Sequence, residues 1–224
     1  MSRTSHRSAP GPSATPLAPR SPRLPPATRL RPPLPRSFYE RGAEAMAETL
    51  LGCFLVRRHR GDILAGRIVE TEAYVGVDDR ACHAHSGRTA RNAVMWGPPG
   101  HAYVYMIYGM YDLLNVVCQP DGIPEAVLLR ALEPVRGLDA MRRRRDVRRD
   151  LDLANGPGKL CRAVAVTRAQ DGVDLCGREL WLAPGTLRPG ESVVHSTRIG
   201  VAYAGPDALR PLRFHLDGNP WVSR

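Results

Sequence analysis

The sequence predicts an α+β fold: one compact domain with a curved, mostly antiparallel sheet packed by helices, preceded by a disordered basic tail. Three observations predict it. From Ser37 onward, β-branched and aromatic runs outnumber helical patterns and do not alternate with them regularly, which disfavours a doubly wound parallel sheet. Residues 1–36 hold 10 of the 21 prolines, seven arginines and no Asp or Glu. Such a segment cannot bury enough apolar surface to offset its ordering entropy. The 224 residues are 43% hydrophobic and 24% charged, which suits one globular domain and excludes a wholly disordered or collagen-like chain. The expected organisation is therefore a Pro/Arg-rich tail over 1–36 and a folded unit over 37–224.

The elements follow in order. Ala43 to Leu51 is rich in helix formers, with Ala43, Met46, Ala47, Leu50 and Leu51 at helical spacing and Gly52 as the stop. Cys53–Arg58 and Ile63–Tyr74 read as strands around a Gly61-Asp62 turn, a hairpin. Gly97-Pro98-Pro99-Gly100 is a loop. Ala102–Tyr108 and Leu113–Cys118 are strand-like runs flanking Gly109, and Ala126–Leu132 is another strand. Gly137–Arg149 reads as a polar helix whose arginines either form a solvated face or contact the backbone of a polyanion. Gly156–Val166 opens as a Gly/Pro loop and continues as a helix. Leu180–Ala183, Val193–Val201 and Leu212–Leu216 are short strands, and there is no internal repeat.

Charge narrows the class of partner. The net charge is +10 and the pI about 10.0. The tail accounts for +7, which leaves +3 on residues 37–224. Lys159 is the only lysine, so 31 of the 32 basic residues are arginine, whose fixed fork of donors suits phosphate. A polyanion partner is the expectation. The five cysteines are odd in number and form no CxxC, which argues against a disulfide framework and for a reducing compartment. No apolar run reaches the roughly 18 residues needed to cross a bilayer, and the N-terminal residues carry no apolar core of a secretory signal. The expected protein is intracellular, without membrane contact, and monomeric.

Three groups of residues could carry chemistry. Glu70, Glu72 and Tyr74 alternate along an apolar strand and so share one face. A carboxylate so placed can be a general base, or can merely solvate an exposed strand. Five of the seven tyrosines fall between Tyr74 and Tyr111. They suit stacking on nucleobases, or simply the edge of a half-buried sheet. Cys82, His83 and His85 are possible metal ligands beside Asp78 and Asp79, but no second ligand pair at zinc spacing accompanies them, and no metal is expected. P-loop, GxGxxG, HExxH, GxSxG and zinc-deaminase signatures are all missing.

The segments RIVETEAY, GPPGHAYVYMIYGMY, LNVV, AVLLRALEP, GPGKLC and PLRFHLDGNPWVS, in this order, resemble the alkyladenine (3-methyladenine) DNA glycosylase family, the single-domain type of animals and many bacteria. The resemblance runs from about Leu34 to the C-terminus. It implies a monofunctional DNA glycosylase of base excision repair, without a cofactor, that flips damaged purines out of double-stranded DNA. Methylated adenine, methylated guanine, hypoxanthine and ethenoadenine are the implied lesions. By the same resemblance Glu72 is the general base that deprotonates the attacking water. Tyr74, His83 and Tyr105 wall the base pocket, and Asn115 disfavours the amino group of normal guanine. Tyr108 is the wedge that fills the gap in the duplex, with Met110 packed behind it. Arg130 lies beside the water and the target phosphate, and Arg88 and Lys159 contact phosphates. A lyase would need an amine, and Lys159 lies outside the pocket motifs. The alternative reading is a catalytically silent module that binds damaged DNA. The Arg-rich composition favours a bacterial cytoplasm or nucleoid.

Overall fold

The longest strand is the spine of the fold. In the computed structural model, which describes residues 31–223, Asp62–Tyr74 is a 13-residue strand (β2) that is buried without interruption from Leu64 to Ala73. Continuous burial of this kind means cover on both faces. The strand before it, Phe54–His59 (β1), pairs antiparallel with the first half of β2, from Phe54↔Arg67 to His59↔Asp62. The connecting turn is Arg60-Gly61, both left-handed with φ of 49° and 84°, one residue earlier than the sequence suggests.

All pairings are antiparallel. Ala102–Ile107 (β3), Tyr111–Cys118 (β4) and Glu125–Arg136 (β5) form a meander whose last strand pairs along the other edge of β2. Leu180–Ala183 (β6) extends the sheet beyond β1. Where β1 leaves the edge of β2, Arg213–Leu216 (β8) takes its place against Glu70–Glu72, and Val193–Ser196 (β7) pairs with β8. The expected curved antiparallel sheet is thus present, and β2 serves three partners.

Three α-helices lie on it among the described residues. Ala43–Thr49 (α1) buries Ala43, Met46 and Ala47 against β2 and β5. The Glu125 carboxylate accepts from its first amide at 2.7 Å, and Thr71 Oγ1 donates to the Ala47 carbonyl at 2.8 Å. Leu138–Arg145 (α2) packs on Pro157–Ala163 (α3), which covers β4 and β5. Two elements are shorter than the sequence suggests. The polar helix stops at Arg145 because Asp146 turns left-handed at φ 45°. The strand from Val193 ends at Ser196, because Arg198 turns inward to a buried partner.

Of the expected tail, residues 1–30 lie outside the described residues. Residues 31–36 are docked: Leu34 is buried and its amide donates to Leu182 O at 2.8 Å, while the Trp181 indole donates to Arg31 O at 3.3 Å. The folded unit therefore reaches back at least to Arg31. The apolar Leu34, alone among charged and proline neighbours, is what β6 holds.

Candidate active site

The chemistry-bearing end of β2 is built on paired irregularities. Ile68 pairs with Leu132 and Glu70 with Ala131, which leaves Val69 as an extra residue on β2. Thr71 then pairs with Leu129, which leaves Arg130 as an extra residue on β5. Bulges of this kind bend the strand and re-aim a side chain. Here the re-aimed side chain is Arg130, whose Nε lies 2.9 Å from Glu70 Oε1 and whose Nη1 lies 3.1 Å from Glu72 Oε1. Both glutamates are 0% exposed, so they do not solvate a strand face.

The two carboxylates differ in environment. Glu70 also accepts from Arg213 Nε at 2.7 Å and from the amide and hydroxyl of Ser223 at 2.7 and 2.8 Å. Burial pushes its pKa up, but Arg130, Ser223 and Arg213 more than offset this and hold it below the usual range. Glu72 has fewer partners: Arg130, the Ile199 amide at 2.7 Å and the Tyr74 hydroxyl, which donates to Oε2 at 2.9 Å. Burial therefore prevails and raises its pKa above the usual carboxylate value. Glu70 is the structural anchor of Arg130. Glu72 is the carboxylate poised closer to proton exchange. Arg130 is only 6% exposed, with Nη2 directed at Ser223 Oγ at 3.3 Å, so each of its three guanidinium nitrogens has a protein acceptor.

One hydrogen bond beyond Glu72 opens a pocket. Tyr74, His83, Tyr105, Asn115 and Tyr203 line it, with Tyr103 and Met95 beneath. The His83 and Tyr105 rings meet edge to face at 4.5 Å, and Tyr103 and Tyr105 tilt together at 5.2 Å. His83 Nδ1 shares a 2.8 Å hydrogen bond with the Tyr103 hydroxyl. Burial, and then the Arg91 charge, push the His83 pKa down to about 4, so the imidazole is neutral at pH 7. Asn115 is 3% exposed and its Nδ2 donates to Tyr103 O at 3.2 Å, which fixes the amide plane. Cys82 is buried and its thiol is pushed up to about 11, and His85 Nδ1 lies 2.8 Å from Val77 O. Cys82 and His83 both line the pocket, whereas His85 is held to the Val77 carbonyl. No cluster of three metal-binding side chains occurs among the described residues.

Beside the pocket, the β3–β4 hairpin projects outward. Its turn places Tyr108 and Gly109 at φ 50° and 69°, with the Met110 amide closing on Ile107 O at 3.1 Å. A left-handed tyrosine is strained by roughly 1 kcal/mol or more. Yet its ring is 86% exposed and gains nothing from packing. Met110 is 68% exposed, so it stands beside Tyr108 at the tip rather than packed behind it as expected. A three-residue tip has no second layer to pack against. Lys159 sits in the first turn of α3, against the base of this hairpin, with Nζ 3.0 Å from Asn155 Oδ1. Arg88 is exposed in the loop after the His83 turn.

Sequence reasoning missed the segment 198–207. Arg198 and Asp79 are both 0% exposed in the side chain and pair through both carboxylate oxygens. Arg198 also donates to Ala73 O and Asp207 O, and its guanidinium lies 4.9 Å from the centre of the Tyr74 ring. This clamp carries the Ile199 amide to Glu72 and Tyr203 to the pocket mouth, where its hydroxyl donates to Ala81 O at 3.2 Å. The only local signal was Gly200, left-handed at φ 80°, which breaks the strand pattern.

Comparison with known proteins agrees with this architecture. A family model described as methylpurine-DNA glycosylase (MPG) matches residues 37–220. A protein of Methanocella arvoryzae named "Putative 3-methyladenine DNA glycosylase" is 52% identical over 195 residues, covering 86% of this chain and 96% of its own. One of the same name from Anaeromyxobacter dehalogenans is 50% identical over 192 residues, covering 85% and 86%. The DNA-3-methyladenine glycosylase of Homo sapiens is 47% identical over 199 residues, covering 83% of this chain and 66% of its own. The chain belongs to the methylpurine-DNA glycosylase family and is a DNA glycosylase of DNA repair.

Proposed function

We propose that the protein is a monofunctional glycosylase that flips alkylated or deaminated purines out of duplex DNA and hydrolyses their N-glycosidic bond with a Glu72-activated water. The observation that carries this reading is a buried carboxylate with a raised pKa, one hydrogen bond from an aromatic pocket. A base can reach such a pocket only by leaving the stack. Tyr74 on one side, and His83 with Tyr105 on the other, receive it. Tyr108, with Met110 beside it, takes the vacated place in the duplex.

In the chemical step the water oxygen bonds to C1′ as the C1′–N bond breaks, and the bonding pair leaves with the base. The water's proton passes to Glu72. Arg130 acts here through Glu72: it keeps the carboxylate ionised in spite of burial. The Ile199 amide fixes the other side of the same oxygen. Asn115, held rigid by Tyr103, faces the base edge and disfavours the guanine amino group. 3-Methyladenine, 7-methylguanine, hypoxanthine and ethenoadenine are the substrates this reading names. Arg88 and Lys159 flank the hairpin and pocket as phosphate contacts. The neutral His83 adds no positive charge against a cationic alkylated base.

The test is base release from duplexes that carry hypoxanthine or ethenoadenine, and from methylated DNA, without added metal. Release followed by strand cleavage only after alkali supports the reading. Cleavage without alkali would point to lyase chemistry and put Lys159 under test. Tight lesion binding with no release would favour a silent binding module.

A further inference from the structure

Two arginines stand against the aromatic walls of the pocket, and they differ in their partners. The Arg198 guanidinium beside Tyr74 is neutralised by Asp79. The Arg91 guanidinium lies 5.2 Å from the centre of the Tyr105 ring. Arg91 is exposed, and among the described residues it lies within ion-pair distance of no carboxylate. Its place is built by its neighbour. Asn92 is buried, donates from Nδ2 to the His83 and Gly87 carbonyls, both at 2.9 Å, and accepts from the Thr89 amide at 2.6 Å. An asparagine so fully bonded ties residues 87–92 to the His83 turn and carries Arg91 to the wall that His83 and Tyr105 form. Arg91 does not itself line the pocket, so its charge acts across the ring and not by contact.

That charge is unbalanced. The three acids behind the pocket, Glu70, Glu72 and Asp79, are matched by Arg130, Arg213 and Arg198. Asp171, the acid felt at Tyr103, is engaged by the Val104 amide at 2.8 Å and lies outside ion-pair distance of Arg91. Three rings of the wall respond to Arg91. Burial and then Arg91 lower His83, and burial raises the Tyr103 and Tyr105 hydroxyls while Arg91 pulls both back. A ring whose π electrons already face a guanidinium is also a poorer partner for a second cation.

We propose that Arg91 is a specificity-determining residue, whose unbalanced charge behind the Tyr105 wall favours neutral damaged purines over cationic ones. The inference rests on the base-release reading above. Hypoxanthine is neutral in DNA and 7-methylguanine is a cation. The two differ by one unit of charge on the base throughout the reaction. As the C1′–N bond breaks, the bonding pair goes to the base: the cationic base becomes neutral, and the neutral base moves toward an anion. Arg91 therefore opposes the first and assists the second. A base stacked on Tyr105 sits roughly 9 Å from the guanidinium, the ring distance plus one van der Waals contact. At an effective dielectric of about 20, one unit of charge at that distance is worth up to about 20-fold. Screening of an exposed guanidinium brings this to about 5- to 10-fold.

The test uses the full chain and a ladder of charge at one position. Single-turnover release of 7-methylguanine and of hypoxanthine from matched duplexes is measured at saturating enzyme, low salt and about pH 8, where the buried His83 is neutral. The readout is the ratio of the two rates. Arg91→Gln should raise the 7-methylguanine to hypoxanthine ratio about 5- to 10-fold, and Arg91→Glu should raise it further. Arg91→Lys, which keeps the charge, should stay within about twofold of the native ratio. A ratio that does not move along the ladder would overturn the proposal. Equal loss of both rates, with weaker binding of a lesion-free duplex, would make Arg91 a phosphate contact and equally overturn it. A lower melting temperature with an unchanged ratio would mark a packing role and overturn it too. A native chain that releases neither base would overturn the base-release reading itself, whereas a flat ladder in a chain that releases both overturns only the role of Arg91.

Discussion

Replacing Arg130 by glutamine removes the cation that touches both buried glutamates. Glu70 keeps Arg213 and two groups of Ser223, but Glu72 keeps only the Ile199 amide and the Tyr74 hydroxyl. Removing one partner of a buried ion pair costs about 3–5 kcal/mol, because the other charge is left uncompensated. For a domain of this size each kcal/mol lowers Tm by about 2–4 °C, so Arg130→Gln should melt about 6–20 °C lower. Arg149→Gln, which breaks an exposed pair with Asp152, should leave Tm unchanged. A second readout separates catalysis from stability. Glu72 already titrates above the ordinary carboxylate value, and loss of Arg130 pushes it further up. The acid limb of single-turnover base release should then move to higher pH, with the largest loss at low pH and recovery as pH rises. A variant that melts like the native protein and keeps the same acid limb would refute the claim that Arg130 holds Glu72 ionised.

Three further outcomes follow from the same geometry. Arg198→Met strands the buried Asp79 and should cost about 3–5 kcal/mol by thermal or urea melting. Arg198→Met/Asp79→Leu should recover part of that loss, and full additivity of the two single changes would deny the clamp. Tyr108→Ser should leave Tm unchanged, since the ring is 86% exposed, but weaken lesion-duplex binding about 5- to 150-fold, the worth of about 1–3 kcal/mol of stacking. Unaltered affinity would remove Tyr108 from the interface. His83 has a depressed folded pKa of about 4 against 6.5 unfolded, so its stabilisation is complete above 6.5 and is lost as pH falls toward 4. The Tm advantage of the native protein over His83→Asn should shrink across that window, and a constant difference would contradict the assignment.

Much of the fold was legible because the chain signals it locally. Ala43, Met46, Ala47 and Leu50 gave a helix by spacing, and the β3–β4 and β1–β2 hairpins declared themselves through glycine turns. The alternation of Glu70, Glu72 and Tyr74 placed them together, but periodicity alone could not say whether that face was wet or buried. The answer depends on β8 and Ser223, which come from the far end of the chain. Arg130 was found through its motif, yet its orientation comes from a bulge that no local pattern announces. Arg198, Ile199 and Tyr203 were invisible for the same reason. Arg198 turns inward only because Asp79, 119 positions away, is buried opposite it.

The central claim is that Glu72 activates the water, and the most direct measurement is single-turnover base release by Glu72→Gln beside its affinity for the same lesion duplex. Glutamine keeps the size of the side chain but cannot take a proton. Release should fall by about 10²–10⁴-fold, the usual contribution of a general base, while Kd stays within about threefold. Release within about tenfold of the native rate, with binding intact, would contradict the account and move the general base elsewhere.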